Sequence, residues 1–401
     1  VSGNVQYIST TDLGNEAASS VWVVPSAGGR AVRVTDERFL NVSPAWTAHG
    51  DLLFVSDQEG SRDIYQLRLS SAGAPAGAAV RLTTGLHVHD IGTSRNGSRL
   101  AYSSFTETSN IWSLPIRSHV TSSVSEAQAV TTGDQTIENF GVSHDGRWIA
   151  FNSDRRGTVQ LYRMRVDQAN AEPQQITVDT VGSFWADWSP DDAQIAIHRF
   201  HGERRQVFVV PVAGGAPVPV TDGSADERAP EWAPDGTRLM LLANWATAAA
   251  LQLVTHGADG RWSTPRALFV VVGRDTIAPR GMSAWSPDGR FIACACGPGG
   301  LVIAPVDGGP ARRLPSPYST AGWDFPQWSA DGRTIFHLSE DASGIVSRIV
   351  AVPVDDARPW VAVRFDDPTR PWHRFGFRVR GGRFYFTLGD RESDIWVADV
   401  H

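Results

Sequence analysis

Two carboxylates occupy the same position in two consecutive copies of a sequence repeat. Asp187 precedes Trp188, and Glu231 precedes Trp232. At this position four other copies carry only a small residue: Ala45, Gly92, Gly141 and Ala284. Two neighbouring carboxylates can act as general acid and general base, or they can share a cation. We therefore take Asp187 and Glu231, together with His89, as candidate catalytic residues.

A group of histidines indicates a second kind of chemistry. His87 and His89 are two residues apart and are followed by Asp90. On an extended segment both imidazoles project to the same side, as metal ligands must. His373, in the last repeat, is the candidate third ligand. A divalent cation held by these three histidines is one hypothesis, and no other cofactor is indicated.

Charged residues recur about four positions before the tryptophan position of the repeat. With their immediate neighbours they include His89, Glu138, Arg228, Arg280, Asp324, His373 and Arg374. Charges of both signs at equivalent positions of the repeat can hold a zwitterionic or anionic polar ligand. We therefore predict that these residues contribute to a binding site. The alternative is a water-filled channel in which arginines pair with carboxylates, such as Arg228 with Asp187 or Glu231.

Four tryptophans fall outside the repeat pattern: Trp185, Trp245, Trp323 and Trp372. Exposed aromatic rings can stack on sugar faces or bury apolar groups of a partner. We include Trp185, Trp323 and Trp372 in the predicted binding site. The alternative is that these rings fill gaps between structural units.

The repeat that carries these residues predicts the fold. Its clearest copies, which read Trp-Ser/Ala-Pro/Ala-Asp, begin at Trp188, Trp232, Trp285 and Trp328. Eight copies follow one another at intervals of 43 to 53 residues, and an Asp-Gly pair between two apolar runs is typical of a tight β-hairpin. Short strands with a period in the forties predict propeller blades of four antiparallel strands. The first strand of each blade would line a channel, with ligand-binding loops at its rim.

We predict an all-β chain that forms one β-propeller domain over residues 1–401, most economically with eight blades, seven and nine being alternatives. Residues 1–36 would be a partial repeat with the closing strand, 37–373 seven full blades, and 374–401 the last blade. Residues 32–35 are predicted to pair as the outer strand of the last blade, which removes the open edge of the ring. Residues 5–25 are then the tail of a further repeat, so we expect this chain to be part of a longer one or of an envelope assembly.

The composition excludes several classes of protein. The formal net charge is −7, and all 36 residues counted as lysine or arginine are arginine. Without lysine there is no P-loop lysine, Schiff-base lysine or Ser–Lys nucleophile pair. A mild negative charge gives no reason to expect nucleic acid or an anionic membrane surface as a partner. No run approaches about 18 apolar residues, so we expect no membrane insertion.

The repeat resembles the TolB-type (WD-like) propeller repeat. The resemblance rests on Trp-Ser-Pro-Asp-Gly at 285–289, on Ser-Asp-x-x-Gly at 56–60 and 153–157, and on strands with Ile-Tyr or Ile-Trp. It covers nearly the whole chain. It implies a β-propeller and a bacterial cell-envelope location, periplasmic or extracellular. Similar repeats occur in TolB, in propellers of prolyl-oligopeptidase-type enzymes and in oligogalacturonate lyases, so the resemblance implies no single activity.

Two functional hypotheses follow from these observations. The first is a ligand- or partner-binding module that recognises a protein, peptide or glycan at the channel rim. The alternative is a carbohydrate-active enzyme, a uronate lyase or glycoside hydrolase, with its site at the channel mouth. A plain scaffold with an empty channel is a third possibility. Substitution of Asp187, His89 or the unpatterned tryptophans discriminates the first two.

Overall fold

The structure is a computed structural model. The residues that it describes are 3–8, 19–156, 159–168, 171–178, 181–202, 204–244, 250–268, 270–272, 275–277, 283–294, 300–320, 326–355 and 357–399. The chain divides into two compact units: unit 1 is Val1–Glu107 with Arg391–His401, and unit 2 is Thr108–Asp390. The predicted blade boundaries along a single domain stay a prediction.

Unit 1 contains three groups of strands. In chain order its strands are β1 (Gly3–Ile8), β2 (Ser20–Pro25), β3 (Val32–Arg33), β4 (Asn41–Trp46), β5 (Leu52–Ser56), β6 (Asp63–Leu67), β7 (Val80–Arg81), β8 (Val88–Thr93) and the first part of β9 (Arg99–Pro115). Strands β1 to β3 form one sheet and β4 to β7 a second, each in chain order, and β8 pairs with β9. Every pairing among these strands is antiparallel.

Unit 2 begins within β9 and ends within the last strand. Its further elements are β10 (Ser122–Ser123), a 3-10 turn (Val124–Glu126), β11 (Gln128–Ala129), β12 (Phe140–Val142), β13 (Trp148–Ser153), β14 (Gln160–Arg165), β15 (Gln174–Gln175), β16 (Ser183–Trp188), β17 (Gln194–His201), β18 (Arg204–Pro211), β19 (Val218–Pro219), β20 (Glu227–Trp232), β21 (Arg238–Ala243), β22 (Ala250–Thr255), β23 (Arg266–Ala267), β24 (Val270–Val272), β25 (Asp275–Ile277), β26 (Ser283–Trp285), β27 (Phe291–Cys294), β28 (Val302–Pro305), β29 (Arg312–Arg313), β30 (Gln327–Trp328), β31 (Thr334–Glu340), β32 (Val346–Pro353), β33 (Trp360–Arg364), β34 (Trp372–Arg380) and β35 (Arg383–Asp399).

The predicted all-β class and the four-stranded antiparallel sheets are confirmed. Strands β12–β15, β16–β19, β20–β23 and β26–β29 each form a four-stranded sheet in chain order. Strands β30–β33 do the same, with β10 added in parallel to β33. Among the residues described, no helix has the length and apolar character that a membrane crossing would need.

The predicted hairpin turns are present. In the copy at 285–289, Ser286 Oγ donates to Asp288 Oδ1 at 2.6 Å and accepts the backbone N–H of Phe291 at 2.9 Å. Gly289 has a φ of +69°, in the left-handed region that glycine adopts without strain. The same serine–aspartate bond recurs at Ser143–Asp145, Ser189–Asp191 and Ser329–Asp331.

The first strands of the sheets in unit 2 contact one another in sequence. Strand β12 contacts both β34 and β16, β16 contacts β20, and β30 contacts both β26 and β34. A hydrogen bond from the backbone N–H of Trp285 to Glu231 Oε1, at 3.2 Å, joins β26 to β20. Each of these six first strands therefore contacts the next within unit 2. We call the six strands the inner circuit. The predicted eight blades in a single ring are not confirmed, because the sheets are divided between two units.

The repeat tryptophans tie neighbouring inner strands together. Three of them donate from the indole Nε1 to a main-chain carbonyl of the preceding inner strand: Trp188 to Gly141 at 3.0 Å, Trp285 to Glu231 at 3.4 Å, and Trp328 to Ala284 at 3.1 Å. The close approach explains one of the small residues in the repeat. A Cβ on Gly141 would lie 2.3 Å from the carbonyl oxygen of Ala186, so only glycine fits there.

The predicted closure by residues 32–35 is wrong. Strand β3 pairs with β2 of its own sheet, through Val32 with Val23 and Arg33 with Trp22. The C-terminal strands β34 and β35 instead share a sheet with β9 and β11, in the order β11-β9-β35-β34. The repeat pattern predicts which residues form strands. It does not predict which strands pair, because the outer strands all have a similar alternation of apolar and polar residues.

Candidate functional site

A backbone irregularity positions the two candidate carboxylates. Trp185 on β16 has a φ of +69° and Ala229 on β20 has a φ of +50°. The register with the second strand of each sheet shifts just there, between Phe184 and Asp187 and between Arg228 and Glu231. A bulge of this kind bends the strand and re-aims the next side chains. It follows that Asp187 and Glu231 owe their orientation to equivalent bulges on adjacent inner strands.

Each carboxylate is bonded to the backbone of the next inner strand. Asp187 Oδ2 accepts the N–H of Trp232 at 2.7 Å, and Glu231 Oε1 accepts the N–H of Trp285 at 3.2 Å. Each carboxyl oxygen satisfies a backbone donor that would otherwise be left without a partner. The two side chains therefore join three consecutive sheets, β16–β19, β20–β23 and β26–β29.

The electrostatics of this pair depend on two arginines of β34. Burial raises the pKa of Asp187, against the opposing charges of Arg378, His144 and Arg380. Burial and the negative charge of Asp187 raise the pKa of Glu231 to about 8, while Arg378 opposes the shift. Glu231 is therefore mostly protonated at neutral pH. A buried carboxylic acid that keeps its proton at pH 7 can donate a hydrogen bond or act as a general acid.

The space beside Glu231 is small. A cavity of about 20 Å³ is lined by Glu231, Arg378, Gln327, Ser283 and the ring of Trp185, with further apolar residues. The Arg378 guanidinium lies over the Trp185 ring at 5.4 Å and donates to the carbonyl of Phe377 at 2.8 Å. A polar cavity of this volume holds one water molecule. It has no room for a sugar ring.

A second polar cluster lies at the end of β17 and the start of β18. We call it the Phe200 cluster: Phe184, His198, Phe200 and Arg205. The Arg205 guanidinium lies 4.4 Å from the Phe200 ring centre and 5.2 Å from that of Phe184. Phe184 stacks on His198 at 5.9 Å and meets Phe200 edge to face at 5.6 Å. Phe200 remains 45% exposed, so the cluster presents an aromatic ring and a cation to solvent.

The charges around the Phe200 cluster act on Arg205 without forming a direct ion pair with it. Arg205 Nη1 contacts His198 Nε2 at 3.1 Å, and burial with the charges of Arg205 and Arg228 lowers the pKa of His198 well below its usual value. Burial and Arg228 lower the pKa of Arg205, while Glu138 and Asp226 oppose this. Within the described part of the chain, Arg205 forms no salt bridge.

The structure brings together some predicted site residues and separates others. Glu138, Arg228 and Trp185 do lie near the Phe200 cluster, as their electrostatic and ring contacts with Arg205 and His198 show. The alternative pairing of Arg228 with Asp187 or Glu231 is wrong, because Arg228 Nη2 bonds to Asp226 Oδ2 at 2.7 Å. Their part in ligand binding stays a prediction.

Two of the four unpatterned tryptophans, Trp185 and Trp372, lie among the residues that the structure describes. Trp185 is only 8% exposed, and Trp372 is partly buried against the cluster that contains Phe377 and Leu388. The expectation of an exposed stacking surface is therefore wrong for Trp185, and the ring of Trp372 is only partly exposed. The other predicted positions lie outside the described residues or have side chains outside them: Trp245, Arg280, Trp323, Asp324, His373 and Arg374.

The geometry assumed for the histidine site is not present. His87 has a φ of +48°, and the register shifts between Val88 and Asp90, so this segment is not regularly extended and the argument from alternation fails. His87 and His89 belong to unit 1, whereas His373 belongs to unit 2. Among described residues no group of three histidine, cysteine or acidic side chains could hold a metal ion. The divalent cation stays a prediction.

Sequence reasoning missed the arginines of β34. Arg378 occupies the tryptophan position of the last repeat copy, and Arg380 follows two residues later. A charged residue at a position that is aromatic in five copies was the available signal. This signal could not predict that the two arginines act on Asp187 and Glu231, because those carboxylates lie more than 140 residues earlier in the chain.

Comparisons with known proteins agree with the repeat. Residues 92–274, a little under half of the chain, match the family model of the TolB beta propeller domain. A relative in Agrobacterium fabrum, an uncharacterized protein, is 29% identical over 201 residues, which cover 47% of this chain and 64% of that protein. The chain thus spans less than two thirds of that relative's length.

Solved structures show lower similarity. Oligogalacturonate lyase from Vibrio parahaemolyticus is 13% identical with a TM-score of 0.42, covering 88% of this chain and 97% of that one. TolB from Acinetobacter baumannii is 12% identical with a TM-score of 0.30, covering 90% and 67%. The resemblance predicted from the repeat is confirmed by the family match, which shows TolB-type β-propeller repeats over residues 92–274.

Proposed function

We propose that this chain is a TolB-like recognition module that binds a carboxylate-bearing peptide segment of a partner protein at the Phe200 cluster. One observation carries the proposal: a guanidinium held against two phenylalanine rings makes no salt bridge with any described residue, while Phe200 beside it is exposed. A partly desolvated cation without a direct ion pair favours an incoming carboxylate. An adjacent aromatic ring supplies apolar contact area, as at the centre of many interfaces.

The contacts around Arg205 support a preorganised site. Two aromatic rings and His198 hold the guanidinium in place, and the backbone N–H of Arg205 donates to Asp226 Oδ1 at 3.0 Å. Because the pKa of His198 is lowered well below its usual value, the imidazole is neutral and does not repel the guanidinium. Its Nδ1 faces the backbone N–H of Ala229 at 3.2 Å and its Nε2 faces Arg205 Nη1 at 3.1 Å, and only one of these two nitrogens can accept a hydrogen bond at a time. Little side-chain entropy is then lost when a carboxylate binds.

An enzyme that uses Asp187 and Glu231 is the second candidate. The raised pKa of Glu231 favours it, since a general acid must hold its proton near neutral pH. Two observations weigh against it. Both carboxylates accept backbone hydrogen bonds between sheets, and the cavity next to Glu231 has room for one water molecule. A glycosidase needs a sugar between its two carboxyl groups.

Peptide binding by variants tests the first proposal. The probe is an array of random decapeptides, synthesised with free C-terminal carboxylates and, in parallel, as C-terminal amides. We expect retention of peptides with carboxylates, and loss of about tenfold in affinity for Arg205→Gln and Phe200→Ala. Arg204→Gln is the control, because the Arg204 side chain is exposed and, among the residues that the structure describes, bonds only to the carbonyl of Ser224.

The enzyme candidate makes the opposite prediction. Turnover of a polygalacturonate or neutral-glycan panel that disappears in Glu231→Gln, without any peptide binding, would replace recognition by catalysis. Binding of peptides that is equal in wild type and in Arg205→Gln would also contradict the proposed site.

We also propose a bacterial cell-envelope location, on the basis of the TolB-type repeats alone. Fractionation of the producing cell, followed by immunodetection of the full chain, tests it. Recovery in the cytosolic fraction would contradict this proposal.

A further inference from the structure

A groove in unit 2 lies between the sheet β16–β19 and the sheet β20–β23, away from the two clusters described above. Its volume is about 560 Å³, within the range of small-molecule sites. We call it the Trp262 groove and define it by Gln194, Asp222, Trp232, His256, Arg261 and Trp262. None of these residues takes part in the proposed peptide site.

Three aromatic rings form one wall of the Trp262 groove. Trp262 lies 5.7 Å from Trp232 with an angle of 57° between the rings, and 4.9 Å from His256 with an angle of 54°. A β-bridge between His256 and Trp262 fixes the loop that carries them. Trp262 also packs against the buried cluster that contains Trp232. The wall is therefore held in place before any ligand arrives.

Trp232 departs from the behaviour of the other repeat tryptophans. Trp188, Trp285 and Trp328 each donate from Nε1 to a carbonyl of the preceding inner strand. The Nε1 of Trp232 is buried and has no hydrogen-bond partner among the described residues, while its ring meets Trp262 in the groove. Trp232 thus contributes its ring, and not its N–H, to the wall of the groove.

Polar side chains surround the aromatic wall. The side chains of Gln194 and Arg261 are exposed and make no hydrogen bond within the described structure. Hydrogen bonds from Ser224 lower the pKa of Asp222, so its carboxylate is ionised at neutral pH. The Trp262 groove is thus lined by an amide, a cation and an anion in addition to its aromatic wall. Together these groups can donate to and accept from a ligand rich in hydroxyl groups.

We propose that the Trp262 groove binds a neutral pyranose residue of a glycan. The apolar C–H face of the sugar stacks on the indole of Trp262, and its hydroxyl groups bond to Gln194, Asp222 and Arg261. A proline-rich peptide would also fit against aromatic rings. It supplies acceptors but few donors, and it would give the Asp222 carboxylate no new hydrogen bond. The sugar satisfies both kinds of group.

Saturation-transfer NMR with the full chain tests the proposal. The probes are four neutral hexasaccharides: maltohexaose, cellohexaose, xylohexaose and chitohexaose. We expect at least one to bind, with affinity reduced at least about tenfold in Trp262→Ala and about threefold in Gln194→Ala and Arg261→Ala. Trp148→Ala is the matched control, because Trp148 is a half-buried tryptophan on β13 that stacks with Arg163 and Arg165.

The outcomes separate the alternatives. If no hexasaccharide binds, or if binding is unchanged in Gln194→Ala and Arg261→Ala, the proposal is overturned. Decaproline run in parallel would overturn it in favour of a peptide groove if it binds and is lost in Trp262→Ala. Should Trp262→Ala lower the melting temperature strongly, the two exposed polar variants decide alone, since neither side chain contributes to the core.

Discussion

Glu231 and Trp285 are joined twice. The carboxylate of Glu231 accepts the backbone N–H of Trp285 at 3.2 Å, and the carbonyl of Glu231 accepts the indole N–H of the same residue at 3.4 Å. Glu231 on β20 therefore accepts hydrogen bonds from both the main-chain N–H and the side-chain N–H of Trp285 on β26. This double contact makes the candidate carboxylate a structural link between two sheets.

Truncation of Glu231 is expected to destabilise the protein. Glu231→Ala leaves the Trp285 N–H without its acceptor, at a cost of about 1–3 kcal/mol in the free energy of unfolding. Glu231→Gln keeps an oxygen acceptor and a similar volume, so it should lose less than half of that. Urea unfolding followed by tryptophan fluorescence measures both. Equal losses would show that the backbone bond is not what Glu231 contributes.

The pH dependence of stability should also change at this residue. The pKa of Glu231 is about 8 in the folded protein against an ordinary 4.5, so between these values the folded state binds more protons than the unfolded state. The contribution of Glu231 to the free energy of unfolding must then fall as pH rises from about 5 to about 8. His144 and His198, whose pKa values are lowered from 6.5, add a contribution of the opposite sign as pH rises toward that value. The difference in the free energy of unfolding between wild type and Glu231→Gln, measured by urea unfolding at several pH values, isolates the decline. A difference that stays constant with pH would contradict the shifted pKa.

Removal of Arg378 should be costly because it leaves half-buried carboxyl groups without a balancing charge. Arg378 is the largest charge opposing the raised pKa of Asp187, and a polar group left uncompensated costs about 1–3 kcal/mol. We expect Arg378→Met to lose about 1–3 kcal/mol, and Asp187→Asn added to it to recover part of the loss. A double-mutant cycle by chemical unfolding measures the coupling. Strictly additive losses would show that the two groups do not interact.

The close contact at Gly141 gives a steric prediction with a matched control. Gly141→Ala would place a Cβ 2.3 Å from the carbonyl of Ala186, whereas a Cβ on Gly92, at the same repeat position, meets nothing within 4 Å. We expect Gly141→Ala to lower stability by about 1–3 kcal/mol through overpacking, and Gly92→Ala to change it by less than about 0.5 kcal/mol. Thermal unfolding of both variants checks this. Similar melting temperatures would mean that the inner strands can separate without cost.

The sequence determined the local structure of this protein. Ser286, Asp288 and Gly289 form their turn through contacts within five residues of one another, and such contacts are encoded by the order of residues along the chain. The repeat likewise predicted the strands, the antiparallel sheets and the equivalent positions of Asp187 and Glu231 in their two strands. Because these features depend on short separations, they could be predicted without knowledge of the fold.

Which residues from distant parts of the chain come close together depends on the tertiary structure. The charge of Asp187 acts on Arg378, Arg228 pairs with Asp226, and β9 rather than β3 shares a sheet with β35. These partners are set by which sheet lies beside which, and a repeated sequence gives every sheet nearly the same edge pattern. The pKa of Glu231 follows for the same reason, since burial and a neighbouring charge arise only when distant strands are packed together.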